Sequence, residues 1–250
     1  MAKRKMAKNK NFFECKSVYS LSGSIREKQR QGFFPVISEI KVCSQKHGDL
    51  LRGRNPADLA ASMSACPVAG ISVVTEPLHF NGSMDLLKTV SGVVDVPVLH
   101  KDFITTEEQV VESAACGASA LLLITAMLGQ DDLARLIKKA RECGLQTLVE
   151  AHTPDEIRRI QSFGFDLMGI NNRDITVFEV DDNNVGRTES FAHLCVNSRL
   201  IISESSIESA VDVRRAGRAG ADAVLVGTAV LKAEDTESFI HELVSVGWPV

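Results

Sequence analysis

The stretch PVLHKDF places Lys101 and Asp102 at the end of an apolar run. Charge is costly to take out of water, so an ammonium and a carboxylate here call for partners brought from elsewhere in the chain. Other apolar runs end in the same way. VISEIK finishes on Glu39 and Lys41, TLVEAH carries Glu150, GINNR ends on Asn171 and Arg173, ISES on Glu204 and Ser205, and VLVGT on Gly227 and Thr228. Carboxylates and lysines are the side chains of general acid and base catalysis, and lysine is also a Schiff-base nucleophile. Ser205, Ser206, Gly227 and Thr228 are small enough to let backbone N–H groups approach a phosphate. The same residues also suit helix capping and a tight turn, so that signal is compatible with two readings.

These residues must be positioned by regular elements, and the chain supplies them as an alternation. Short apolar, β-branched runs predict strands over 34–41, 70–75, 97–103, 120–125, 147–152, 167–173, 199–205 and 223–228. Segments of helical period lie between them, among them PADLAASMSA, DDLARLIKKARECG, PDEIRRIQSFG and ESAVDVRRAGRAG. Near-continuous apolar strands with crossover helices require a parallel sheet. Eight such units in 250 residues predict a closed (β/α)8 TIM barrel over 34–250. An open doubly wound sheet is the rival, but no G-x-G-x-x-G follows the first strand. GASALLLI, GFDLMGIN and GADAVLVG each set a helix-ending glycine before a strand. Residues 1–33 read as an N-terminal extension, mobile at its start, in which SIREKQRQG forms an extra helix that caps the barrel or lies over its mouth.

In such barrels the active site lies at the C-terminal ends of the strands. Because residues two apart share a face, Glu39 with Lys41, Lys101 with Phe103, and Asn171 with Arg173 are expected to point into the mouth. Asp102 is expected to point away from it. A structural ion-pair network in the upper barrel is the competing reading, but ionisable groups of both signs on one rim favour catalysis. His79, His100 and His152 also lie near strand ends; His100 reads as facing outward and the other two as packing or rim residues.

Composition narrows the function. The net charge is −4 and 44% of residues are hydrophobic, with no apolar run long enough to span a bilayer. MAKRKMAKNKNFF is basic but lacks the apolar core of a signal peptide, so a cytoplasmic protein without membrane contact is expected. A short terminal charge run on an acidic chain reads as a solvated tail rather than a nucleic-acid arm. The six cysteines form no C-x-x-C pair and the six histidines no H-E-x-x-H, so neither a disulfide framework nor a metal site is predicted.

The segments VISEIK, ISVVTEPLHFNGS, PVLHKDF, ALLLI, TLVEAHT, GINNRD, ISES and ADAVLVG, in this order, resemble the indole-3-glycerol-phosphate synthase family from about Val36 to Leu231. The resemblance implies a cofactor-free carboxy-lyase of tryptophan biosynthesis. Its substrate would be a phosphorylated small molecule, 1-(2-carboxyphenylamino)-1-deoxyribulose 5-phosphate, which loses carbon dioxide and water as the indole ring closes. By resemblance, Lys101 is the general acid for the ketone oxygen, and Glu150 acts around ring closure and dehydration. Glu39, Lys41 and Glu204 complete the charged network. Asn171 and Arg173 position the anthranilate part and the reacting hydroxyls, Phe80 and Phe103 flank the ring, Ser44 matches the family's first loop, and Ser205, Gly227 and Thr228 face the phosphate. Contact with other enzymes of the pathway is a further implication. The proton-donor role leads us to expect a Lys101 pKa lowered by burial and neighbouring cations.

The chain departs from the family pattern in two places. After the first strand the family has a lysine followed by R-x-S-P-S, whereas KVCSQKHG carries Val42, Gln45 and Lys46 instead, which predicts a looser loop; Cys43 reads as a small buried side chain. After the seventh strand E-S-G-I becomes Glu204, Ser205, Ser206, Ile207, so a positive φ at that position would strain Ser206. Two other functions share these residues: another phosphosugar isomerase or Schiff-base aldolase acting through Lys101, and a non-catalytic relative that binds a phosphorylated ligand.

Overall fold

The structure, a computed structural model, describes residues 20–173, 184–196 and 199–250. Eight parallel strands close into a barrel: β1 (Val36–Ile40), β2 (Gly70–Val74), β3 (Val98–Lys101), β4 (Ala120–Ile124), β5 (Gln146–Ala151), β6 (Leu167–Asn171), β7 (Leu200–Glu204) and β8 (Ala223–Val226). Each strand pairs with its neighbours in sequence, and β8 returns to β1 in the register Val36↔Val224, Ile37↔Leu225, Ser38↔Val226. All eight expected strands are present. They end a few residues earlier than the apolar runs do, because the polar residues beyond leave the ladder to form the rim.

Crossover helices follow most strands, and their starts are set by side-chain caps. Asn55, Ser83, Thr106, Thr153, Ser209 and Asp235 each accept a backbone N–H from the first turn of the helix that follows. Of the three glycines expected to end helices, Gly117 and Gly220 adopt φ of 87° and 106°. Gly164 does not take a left-handed conformation; its carbonyl instead accepts Arg141 Nη2 at 2.6 Å. Arg141 thus ties this turn to the helix Gln130–Glu142.

Alternation along the strands divides the core in two. Ile37, Leu99, Leu122, Leu148, Leu167, Ile202 and Leu225 fill the barrel, while Val36, Ile40, Ile71, Val73, Leu121, Val149 and Val224 face the helices. Each such side chain contributes about 1.5–3 kcal/mol on burial.

The extra helix, Leu21–Arg30, closes the floor of the barrel and not its mouth. Leu21 and Ile25 are fully buried with the barrel-filling side chains. Ser22 N–H donates to Gln146 Oε1 at 3.0 Å, and Gln29 Nε2 donates to the Asp222 carbonyl at 3.1 Å. Both acceptors lie at the N-terminal ends of strands, opposite the charged rim. The mobile first residues named above fall outside the described residues. Among the described residues no helix is long and apolar enough to cross a membrane, and no group of three or more His, Cys, Asp or Glu could hold a metal ion.

Candidate active site

A cavity of about 400 Å³ opens at the C-terminal ends of the strands, a size suited to a small ligand. Every residue expected to act on or bind the substrate lines it except Ser44. Ser44 is buried in a small hairpin made by Cys43–Ser44 and Gly48–Asp49, where its Oγ accepts the His47 N–H at 3.1 Å. The segment expected to be a loose loop is therefore hydrogen-bonded structure, and it presents Lys46 and His47 to the cavity instead.

Glu39 is the hub on β1. Its Oε1 lies 3.8 Å from Lys41 Nζ and its Oε2 lies 3.9 Å from Lys101 Nζ on β3. Ser72 Oγ donates to Oε2 at 3.4 Å. Lys41 also donates to Thr228 Oγ1 at 3.4 Å and sits 5.5 Å over the centre of the Phe80 ring. Phe103, edge-on to His79 at 6.4 Å, walls the cavity near Phe80.

Lys101 faces the cavity with 24% of its side chain exposed. Burial works to lower its pKa, but the charges of Glu39, Glu150 and Glu204 outweigh both burial and Arg173, and hold it above the ordinary lysine value. This corrects the expected direction: three carboxyl groups from three other strands dominate over the neighbouring cation.

Glu150 and Glu204 meet across β5 and β7 and titrate apart. Burial, then the adjacent Glu150 charge, drives the Glu204 carboxyl well above its usual range. Burial also opposes ionisation of Glu150, but His152, Lys101 and Asn171 outweigh it and hold that pKa below normal. The pair is thus a carboxylic acid beside a carboxylate, one able to give a proton and the other to take one.

Two glycines make room for these acids. A Cβ on Gly169 would lie 2.2 Å from Glu204 Oε1, and one on Gly227 would lie 2.6 Å from Glu39 Oε1. The G of MGIN and the G of VGT are therefore spatial requirements of the neighbouring carboxyl groups.

Asp102 also borders the cavity, contrary to the expectation that it points away from it. Strand β3 ends at Lys101, so alternation no longer governs the next residue. Asp102 Oδ1 accepts the Phe103 N–H at 2.7 Å and Oδ2 accepts the Thr75 hydroxyl. His100 faces outward as expected, buried between Thr75 Oγ1 and Ser113 Oγ, each at 2.7 Å from the ring. Lys101 is thereby flanked by two anchored neighbours.

The rim after β6 and β7 is held by Asn172, which the sequence reading passed over. Its Nδ2 donates to Ser203 Oγ and to the carbonyls of Glu204 and Ser205, and its Oδ1 accepts from Thr188 N–H and hydroxyl. Arg173 N–H donates to Asn171 Oδ1 at 3.0 Å. Ser205 and Ser206 both sit in the left-handed region, at φ 65° and 58°, so the anticipated strain at Ser206 is present. His152, expected as a packing or rim residue, is buried, with Nε2 3.0 Å from Glu150 Oε1. The pair of polar residues two apart in V-E-A-H was the signal for it.

Comparisons with known proteins agree with this geometry. The family described as Indole-3-glycerol phosphate synthase matches residues 2–243. A protein named indole-3-glycerol phosphate synthase from Thermococcus kodakarensis is 42% identical over 229 residues, spanning 92% of this chain and 99% of its own. Its namesake from Pyrococcus furiosus is 42% identical over 227 residues, spanning 91% and 97%. Among solved structures, the 3-hexulose-6-phosphate synthase of Salmonella typhimurium superposes with a TM-score of 0.67 at 16% identity, covering 85% of this chain and 97% of that one. A protein from Aquifex aeolicus VF5 gives 0.68 at 14%, covering 92% and 99%. At such low identity these two speak for the barrel alone.

Proposed function

Because this chain belongs to the indole-3-glycerol phosphate synthase family, we propose how its rim residues divide the chemistry of that reaction. The enzyme is a carboxy-lyase of tryptophan biosynthesis: it closes the indole ring of 1-(2-carboxyphenylamino)-1-deoxyribulose 5-phosphate with loss of carbon dioxide and water, giving indole-3-glycerol phosphate.

The substrate brings a carboxylate and a phosphate into a mildly acidic protein, so it needs local positive charge. Lys41, Lys101 and Arg173 supply it. The phosphate lies against Ser205, Ser206, Gly227 and Thr228, with Lys41 reaching the same rim through Thr228. Phe80 and Phe103 flank the aromatic ring, and Asn171 and Arg173 orient its carboxylate.

Ring closure joins an aromatic carbon to the ketone carbon while the carbonyl oxygen takes a proton. Lys101 donates it. A lysine held above its usual pKa is fully protonated when substrate arrives, the state a general acid requires. Carbon dioxide departs as the ring regains aromaticity. Dehydration then removes the hydroxyl formed, and the Glu150 and Glu204 pair provides an acceptor and a donor for that step. Glu39 holds both ammonium groups in register.

The observation that carries this reading is Lys101 at 3.9 Å from Glu39, facing the Glu150 and Glu204 pair in one cavity. The decisive experiment supplies the carboxyphenylamino ribulose phosphate and follows indole fluorescence. Lys101→Met should bind product and lower kcat by about 10²–10⁴-fold, the usual worth of general acid catalysis; unchanged turnover would refute the role. A Schiff-base aldolase is the weaker alternative, since it needs a neutral amine and Lys101 is held charged by its carboxylates. Borohydride trapping of an adduct on Lys101 would revive it.

A further inference from the structure

We propose that His152, clamped by Glu156, is a positioning residue that fixes and electrostatically sustains the Glu150 carboxylate. The inference deepens the reading of the same site and rests on it for the link to turnover.

His152 is 4% exposed and does not line the cavity, so it has no direct access to substrate. Its two ring nitrogens face two different carboxylates: Nε2 lies 3.0 Å from Glu150 Oε1, and Nδ1 lies 3.4 Å from Glu156 Oε2. A neutral imidazole has one N–H donor and would set a lone pair against one of these acids; the imidazolium has a donor for each. Both approaches are ion-pair contacts rather than aligned hydrogen bonds, and a ring set between two carboxylates favours the positive charge. Burial works against that charge, but Glu150 and Glu156 prevail and raise the His152 pKa above its ordinary value.

Glu156 is itself anchored. In T-P-D-E the Thr153 hydroxyl caps the helix Pro154–Ile160 by accepting the Glu156 N–H. The Glu156 carboxylate reaches back past the cap and accepts the His152 backbone N–H at 2.7 Å. One carboxylate thus holds both the backbone and the ring of His152. From the other side, Arg187 Nη1 donates to the carbonyls of His152 at 3.3 Å and Arg173 at 3.2 Å, which ties the ends of β5 and β6 together.

The consequence falls on Glu150. Its neighbours from other strands are Lys101 on β3, Asn171 on β6, Glu204 on β7 and, farther across the cavity, Glu39 on β1. Burial resists ionisation of Glu150, and Lys101 must serve the substrate as well. His152 is the cation that belongs to Glu150 throughout the cycle, and it sets which member of the acid pair carries the proton.

Two measurements on the full chain test this. The first is independent of activity: the His152 ring is followed by NMR titration, assigned by its loss in His152→Gln. Its pKa should lie above that of an ordinary histidine and fall in both Glu150→Gln and Glu156→Gln; a ring titrating at or below the ordinary value overturns the proposal. The second is the pH dependence of kcat/KM. In His152→Gln the acid limb should move upward by about one pH unit or more, the size of effect expected when an opposite charge within contact distance is removed. KM on the plateau should stay within about twofold, because the ring does not reach the cavity. Glu156→Gln should shift the limb in the same direction but less, and the amide of His152→Asn should not restore it. A merely structural role would lower the melting temperature and leave the limb in place, which also overturns the proposal. If the wild-type chain fails to turn over the substrate while the ring titrates high, the assigned reaction is wrong and the ion-pair clamp stands.

Discussion

The substitution Gly169→Ala adds a single methyl group at the point where the floor of the acid pair is tightest. Its Cβ would lie 2.2 Å from Glu204 Oε1, more than an ångström short of ordinary van der Waals contact, with the Glu150 Cα at 3.3 Å on the other side. Glu204 is 1% exposed and lines the cavity, so either its side chain leaves its rotamer or β6 and β7 part. Overpacking of this kind costs about 1–3 kcal/mol, which for a chain of this size lowers the melting temperature by about 2–12 °C. A reacting group displaced by an ångström costs about 10²-fold in rate, so kcat/KM should fall by at least that factor. Thermal unfolding and indole fluorescence read the two effects separately. The cause is isolated by Glu204→Ala, which removes the obstructing carboxyl. The double variant should be no less stable than Glu204→Ala alone, with a coupling of about 0.5–3 kcal/mol between the sites. A single Gly169→Ala variant with wild-type melting and turnover would refute the reasoning, as would strict additivity in the cycle.

Three further outcomes follow from other features. Glu204 keeps in the folded state a proton that the unfolded chain releases above the ordinary carboxyl value of 4.5. Its contribution is therefore complete below that pH and is lost as pH rises through the raised folded value, by up to about 1.4 kcal/mol per pH unit. Urea unfolding across this window should show Glu204→Gln gaining on the wild type as pH rises; parallel curves would contradict the assignment. Ile25→Ala in the floor helix should cost about 2–5 kcal/mol in denaturant unfolding and leave KM unchanged, because Ile25 is buried at the end opposite the cavity. Ser206→Gly removes the steric cost of a left-handed residue, about 1–2 kcal/mol, but frees the unfolded chain by about 0.4–1 kcal/mol. A net gain of up to about 1.6 kcal/mol should appear as a higher melting temperature.

The barrel was legible because its strands are buried on both faces and bounded by turn signals, so eight apolar runs stand out against amphipathic helices. The rim was legible because polar side chains at the ends of such runs have no packing reason to be there. What escaped notice depended on contacts between distant segments. The 43–49 hairpin replaces a proline-containing loop, and only its pairing across Cys43↔Asp49 and Ser44↔Gly48 shows that Ser44 turns inward. The direction of the Lys101 pKa depended on a contest between burial and three carboxyl groups, which no linear reading can weigh. Asn172 and His152 look like neighbours of the chemistry until their partners, Thr188 on one side and Glu150 with Glu156 on the other, are in place.

The helix Leu21–Arg30 stoppers the barrel with Leu21 and Ile25. Its apolar tips continue the layer of leucines and isoleucines that fills the barrel, so the interior is packed from that end up to the strand-end cavity. The plug and the chemistry thus share one column of side chains while standing at opposite ends of it, which leaves the rim free to vary without unseating the base.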